Sequence, residues 1–133
     1  MAIDPGAKRI GIAISDPEGT VAVPLEVIPN DATAMDRIRG AAERINAEVV
    51  VVGLPVRLDG KEGAEAESAR AFASAVFESL GIPVHMLDER LSSKQVSRAM
   101  SRGGINSRRQ RGKLDGVAAA MLLQSYLDSR KKQ

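Results

Sequence analysis

Four carboxylates stand where the pattern of this 133-residue chain changes, and together they bound its chemistry. Asp4 ends a short apolar start, residues 2–5, just before Pro5-Gly6. Asp88 and Glu89 close the apolar run Ile82–Leu87. Asp115 stands in the first turn of the last helical pattern. Hard cations such as Mg²⁺ and Mn²⁺ take oxygen ligands, and a phosphodiester completes the shell with its own oxygens. Two such ions ~4 Å apart can stabilise both the attacking water and the leaving oxygen of an in-line displacement. That chemistry needs several carboxylates and no Cys or Ser nucleophile. The chain has no cysteine, so thiolate metal sites and disulfide frameworks are excluded.

Each acid also has a structural reading. Asp4 can shape the turn that follows it. Asp88 and Glu89 can cap a helix and pair with Arg90. Asp115 suits a first turn through the helix dipole. Two features favour a site at Asp115. The small run Val117-Ala118-Ala119-Ala120 lets its helix lie close to a sheet, and the residues before it, Arg108 to Lys113, are strongly basic. His85, inside an apolar strand, reads as a satisfied core or rim histidine rather than a general base. Asp16 and Asp59 sit in turn-like segments and read as structural.

Net charge is only +2, but it is segregated. No acid occurs from Arg90 to Leu114, a stretch that holds Arg90, Lys94, Arg98, Arg102, Arg108, Arg109, Arg111 and Lys113. A solvated helix face plus a loop would look like this. Flanked by Glu89 and Asp115, the block favours a phosphate-contacting surface, which Lys8 and Arg9 extend. Aromatic residues make up 2% of the chain, which argues against recognition by bases stacked on aromatic rings.

The elements that must position these groups follow from periodicity. A composition 44% hydrophobic and 27% charged supplies one core, of Val, Ile, Leu, Ala and Met, for a single domain over residues 1–133. Ile10–Ser15 alternates as a strand, Asp16–Gly19 is a turn, and Thr20–Ile28 returns, with Pro24 marking an edge or a bulge. Asp31 can cap a helix to about Asn46, with Met35, Ile38, Ala41, Ala42 and Ile45 on one face. Val49–Gly53 reads as a strand covered on both faces. After the loop Leu54–Gly63, a helix spans Ala64–Leu80 and closes at Gly81. Ile82–Leu87 is another strand. Ser92 can cap a short helix ending at Gly103-Gly104, a loop follows, and a last helix runs from Lys113 to Ser129. The order gives one mixed five-stranded α/β sheet with helices on both faces. Ligands of such sheets gather beyond the carboxyl ends of the strands, so Asp4 and the Asp88/Glu89 pair can converge there. There is no secretory leader pattern and no apolar run long enough to span a bilayer. A cytoplasmic protein without a membrane partner is expected.

Taken together, Ile3-Asp4-Pro5-Gly6, Lys8-Arg9-Ile10-Gly11, Ser15-Asp16, Gly53-Leu54-Pro55, Asp59-Gly60, Asp88-Glu89-Arg90-Leu91-Ser92 and Leu114-Asp115 with Ala118-Ala119 resemble the YqgF family, also called RuvX. The resemblance covers almost the whole chain. It implies an RNase H-like fold and a cytoplasmic, metal-dependent nuclease using Mg²⁺ or Mn²⁺. Asp4, Glu89 and Asp115 become the catalytic and metal-holding acids, with Asp88 as alternate. The family is named both for resolving Holliday junctions, by likeness to RuvC, and for maturing the 5′ end of pre-16S rRNA. The second role is favoured here, so RNA stands before branched DNA as the substrate of a monomer or weak homodimer. Two departures stand out. RuvC carries an acid at the end of the strand equivalent to Val49–Gly53, where this chain reads Gly-Leu-Pro. Met1 also stands only three residues before Asp4, where relatives usually carry a few more. A non-catalytic nucleic-acid-binding assembly factor is the competing class, and a pure binder has no need of the three acids together. An actin-like ATPase is disfavoured by length. If the basic block contacts phosphate, replacing Arg108, Arg109 and Arg111 by Ala weakens nucleic-acid binding across sequences and flattens its salt dependence. Affinity measured against salt concentration decides this, and an unchanged slope would return the block to a solvated surface.

Overall fold

Alternating apolar residues in the first thirty positions fold into an antiparallel meander, β1 (Ala2–Pro5), β2 (Arg9–Ser15) and β3 (Ala22–Pro29). After it come α1 (Ala34–Ile45), β4 (Val50–Leu54), α2 (Ala64–Leu80), β5 (Val84–Asp88) and α3 (Ser107–Lys131). This computed structural model describes residues 1–55, 63–88 and 107–131, without the side chains of 107–115 and 131. The five strands form one sheet in the order β3-β2-β1-β4-β5. The β1–β2 and β2–β3 pairs are antiparallel, and β1–β4 and β4–β5 are parallel. The mixed five-stranded sheet expected from the sequence is the one observed.

β3 is an edge strand, where a proline without N–H costs no ladder bond. The β2–β3 register shifts between Ile12 and Ala13, which face Glu26 and Pro24, so Leu25 is the extra residue of a bulge. At the β2–β3 turn, Asp16 Oδ1 accepts from Thr20 N at 2.7 Å and from Val21 N at 3.0 Å. The backbone bonds from Val21 and Thr20 hold its carboxyl below the usual range, which fits its structural reading.

Pleating with period two sorts the core onto the two faces. Ile3, Ile10, Ile12, Val50 and Val52 meet Ile38 and Ala41 of α1 and Ala73 and Val76 of α2. Ala2, Ala13 and Val51 meet Ala119, Leu122 and Leu123 of α3. The second face is made of smaller side chains, so α3 lies close to the sheet. A Cβ on Gly116 would stand 3.6 Å from Pro24 Cβ and from Val27 Cγ2 of β3.

Two expectations are corrected. Asp31 is not the cap of α1: Thr33 holds that place, and Asp31 Oδ1 accepts from Thr33 N at 2.8 Å and Thr33 Oγ1 at 2.6 Å. Its carboxyl is lowered chiefly by that hydroxyl, in a local turn that competes with capping. α3 begins at Ser107, six residues before Lys113, because Arg108, Arg109, Gln110 and Arg111 are helix formers and Gly112 costs only about 1 kcal/mol. Asp115 is therefore the ninth helical residue, beyond the reach of a first-turn dipole. Of the two places expected for His85, core or rim, it takes the rim: it is exposed on edge strand β5, with its ring 5.7 Å from that of Tyr126. The Ser92–Gly104 helix and residues 56–62 of the Leu54–Gly63 loop lie outside the described residues. Among the described residues no helix is long and apolar enough to cross a membrane.

Leu122 is 1% exposed and docks α3 on the sheet. Leu122→Ala should cost about 2–5 kcal/mol in urea unfolding, whereas Glu26→Gln, which breaks the exposed Arg44–Glu26 pair, should cost less than about 1 kcal/mol. Equal effects would contradict this packing.

Candidate active site at the carboxyl end of the sheet

β1 ends at a tight connection. Asp4 pairs with Gly11 and Pro5 with Ile10, and Gly6 N donates to Arg9 O at 2.8 Å to close the hairpin. Asn30, just past β3, ties this loop down: its Nδ2 donates to Gly6 O at 2.7 Å and its backbone N to Lys8 O at 2.9 Å. Lys8 and Arg9 thereby come to the same end of the sheet as Asp4, Lys8 exposed and Arg9 half-buried.

The register sets which groups share a level. Val27 faces Gly11, and Gly11 faces Asp4. Ile3 faces Val52, so one step further Asp4 stands level with Gly53, which faces Leu87. Asp4 therefore has a glycine on each side, Gly11 and Gly53, and no neighbouring side chain crowds it within this row. Glycine inside a strand often marks a close approach by a ligand or another backbone. Ala2 and Leu87 pack on the α3 side, so the alternation turns Asp4 to that face too.

α3 reaches the same level. Gly116 lies against Val27, a member of the row. Further along, Gln124 Oε1 accepts from Ala22 N at 2.9 Å and Gln124 Nε2 donates to Thr20 O at 3.0 Å, at the other end of the sheet. The helix thus runs antiparallel to β1, and position 115 stands at the height of Asp4. Counting back by four and seven, it shares a helical row with Ala119 and Leu122, which face the sheet. The Asp115 side chain lies outside the described residues.

Asp88 is placed differently. It faces Leu54 and follows Leu87, so it turns to the face of Met86, Val84 and α2, across the sheet from Asp4. Glu89, Arg90, Lys94, Arg98 and Arg102 lie outside the described residues. Arg108, Arg109, Arg111 and Lys113 belong to the first turns of α3 and not to a loop, and their side chains lie outside the described residues. No group of three His, Asp or Glu side chains gathers among the described residues; Glu89 and the Asp115 carboxylate are not among them.

Beside Asp4, on the α2 side, a cleft of about 460 Å³ is lined by Asn30, Gly53, Glu65, Ser68 and Phe72 among others. Sequence reading missed Asn30, the glycines flanking Asp4, and Glu65 and Ser68. Gly11 and Gly53 inside apolar strands were a usable signal. Nothing in sequence marks Asn30 beyond its place after a strand ending in proline.

A mixed sheet of this order, with an acid at the end of its central strand and a helix laid across that acid, defines an RNase H-like α/β protein. The chain belongs to the RuvX (YqgF) family of nucleases, described as Holliday junction resolvases, whose model matches residues 1–129. It is 39% identical over 140 residues to a relative from Thermobifida fusca (strain YX), covering 99% of this chain and 88% of that one. It is 40% identical over 130 residues to one from Moorella thermoacetica, covering 96% and 93%. Both relatives carry a provisional assignment as pre-16S rRNA nuclease. Among solved structures, Thermus thermophilus RuvC in complex with a Holliday junction substrate superposes with a TM-score of 0.59 at 20% identity, covering 98% and 94% of the two chains. Fowlpox virus resolvase in complex with Holliday junction DNA gives 0.53 at 17% identity, covering 96% and 95%. At these identities the likeness is one of fold.

Asn30→Ala removes the side-chain clamp on the loop after Asp4. It should lower stability by about 1 kcal/mol in urea unfolding; an unchanged midpoint would mean that the bond contributes nothing in solution.

Proposed function

We propose that the chain is a divalent-metal-dependent nuclease that hydrolyses phosphodiester bonds and processes the 5′ end of pre-16S rRNA. One observation carries this reading: Asp4 stands between two glycines on the α3 face, and α3 brings position 115 to the same level. Asp4, Glu89 and Asp115 would hold the ion. Their donors are all carboxylate oxygens, a set that suits Mg²⁺ or Mn²⁺ and not a soft metal. Asp88 remains the alternate, and its place across the sheet counts against it. A bound ion supplies an activated water and charge stabilisation at the departing oxygen.

The chain's own residues do the rest. Asp4, held on the central strand by ladders on both sides, keeps its carboxylate in one place while substrate exchanges. Lys8 and Arg9 meet phosphate at the loop beside it. Arg90, Lys94, Arg98, Arg102, Arg108, Arg109, Arg111 and Lys113 extend that contact along the strand of nucleic acid. One chain supplies all three acids, so a monomer suffices and a weak homodimer would add nothing to the chemistry. A cytoplasmic site of action follows from an rRNA substrate.

Four-way DNA junctions are the second reading, favoured by the fold shared with two resolvases that bind them. Labelled RNA bearing an immature 16S 5′ end and a labelled junction, each with Mg²⁺ or Mn²⁺, separate the two. Asp4→Asn keeps the shape and removes an anionic ligand, so cleavage should fall to background. The fold should persist, with stability unchanged or raised as like charges are relieved. Wild-type rates from Asp4→Asn would sink the metal mechanism, and junction cleavage without RNA cleavage would choose the second reading.

A further inference from the structure

The cleft beside Asp4 has a composition that the cleavage chemistry does not use. Among the described residues its lining contains no Lys or Arg, and its charged members are Asp4 and Glu65. Among these described residues a phosphate would meet only negative charge. Pro5, Pro55, Ala69 and Phe72 make the other walls apolar. Ala69 and Phe72 pack into the core below, so these walls are built on a rigid helix.

Glu65, Ser68 and Phe72 follow one another at three and four residues, so they form one row on α2. Glu65 and Ser68 are exposed, and among the described residues neither side chain carries a hydrogen bond. A carboxylate that only accepts and a hydroxyl that donates or accepts therefore stand free over an apolar pocket. The volume of about 460 Å³ falls in the range that takes a small ligand such as a nucleoside.

We propose that this cleft is a nucleoside subsite, in which Glu65 and Ser68 bind the 2′-hydroxyl of the ribose next to the scissile phosphate and so select RNA over DNA. The inference rests on the nuclease reading and deepens it. The 2′-hydroxyl donates to the Glu65 carboxylate and accepts from Ser68, and deoxyribose offers neither bond. The base lies against Phe72 and the prolines, by apolar contact that any base can make. Because the cleft shares Asp4 with the strand end, the attached phosphate is left at the edge of the sheet, beside that acid.

Equilibrium binding tests this without relying on cleavage. Wild-type protein in EDTA is titrated with a short fluorescent RNA strand, the matched DNA strand, and a series in which one ribose at a time is 2′-deoxy. RNA should bind about tenfold more tightly than DNA, with the loss concentrated at one position of the series. Glu65→Gln and Ser68→Ala should each shrink that ratio by weakening the RNA arm. Glu67→Gln makes the same charge change on the same helix, outside the cleft, and should leave the ratio intact. A wild-type ratio near one, or a ratio unchanged in both cleft variants, overturns the subsite. Cleavage of the same strands with Mg²⁺ is read separately. Its absence beside a preserved binding ratio would count against the nuclease and leave the subsite standing.

Discussion

The placement of Asp4 depends on the parity of a four-residue strand. Ile3 is fully buried between β1 and the α1–α2 layer, and turning such a side chain to the other face would forfeit roughly 2–3 kcal/mol of burial. Since successive side chains alternate, an inward Ile3 forces Asp4 onto the α3 face. A one-residue slip would exchange the two and move the carboxylate across the sheet. Ladders to β2 and β4 on either side, from Ala2 to Pro5 on one and at Ala2 and Ile3 on the other, oppose that slip. The packing of one isoleucine and the direction of one aspartate are thus a single constraint.

The second layer follows from side-chain size. The α3 face offers Ala2, Ala13 and Gly11 where the opposite face offers Ile3, Ile10 and Ile12. Small residues let a helix sit close, and Gly116 lies so near β3 that an added Cβ would already touch Pro24 and Val27. That approach brings position 115 level with Asp4. Gln124, bonded to Ala22 N and Thr20 O, pins the far half of the helix so that it does not slide along the sheet. Close packing at one end and a polar clamp at the other set the height of the acid-bearing turn.

The sheet and its helices were legible because their signals are local and strong. The Val49–Gly53 run, the Ala64–Leu80 helix with Gly81 behind it, and Pro24 at a bulged edge each carry their own explanation in residue type. The start of α3 was misread because Gly112 and a dense basic run look like a loop, whereas a long helix docked by Ala119, Leu122 and Leu123 absorbs one glycine. Asp31 was misread because a carboxylate two residues before Thr33 has a nearer donor than the helix end. At the site, Asp4 was legible from its place before Pro-Gly. The row Val27–Gly11–Asp4–Gly53–Leu87 was not, since it is made by register across five neighbouring strands and no spacing along the chain encodes it.

The same register gives the two faces of the strand ends different electrostatic character. On the α3 face the strand-end acid is met by a helix whose first turns carry four cations, while Lys8 and Arg9 stand in and just after the loop that follows it. On the α2 face the cleft has Glu65 and, among the described residues, no cation. On the proposed reading a polyanion would be drawn to the first and not to the second, so that its phosphates and its sugars would separate onto the two sides of one strand end. The carboxyl end of β1 is thin enough for this because Gly6 and Gly53 carry no side chain there. A nucleotide crossing it would leave its phosphate at Asp4 while its uncharged part lay over α2. On the proposed reading the order of charges would thus align a substrate by its backbone, without reading the identity of its bases, as expected of a nuclease that must recognise the shape and backbone of a folded nucleic acid.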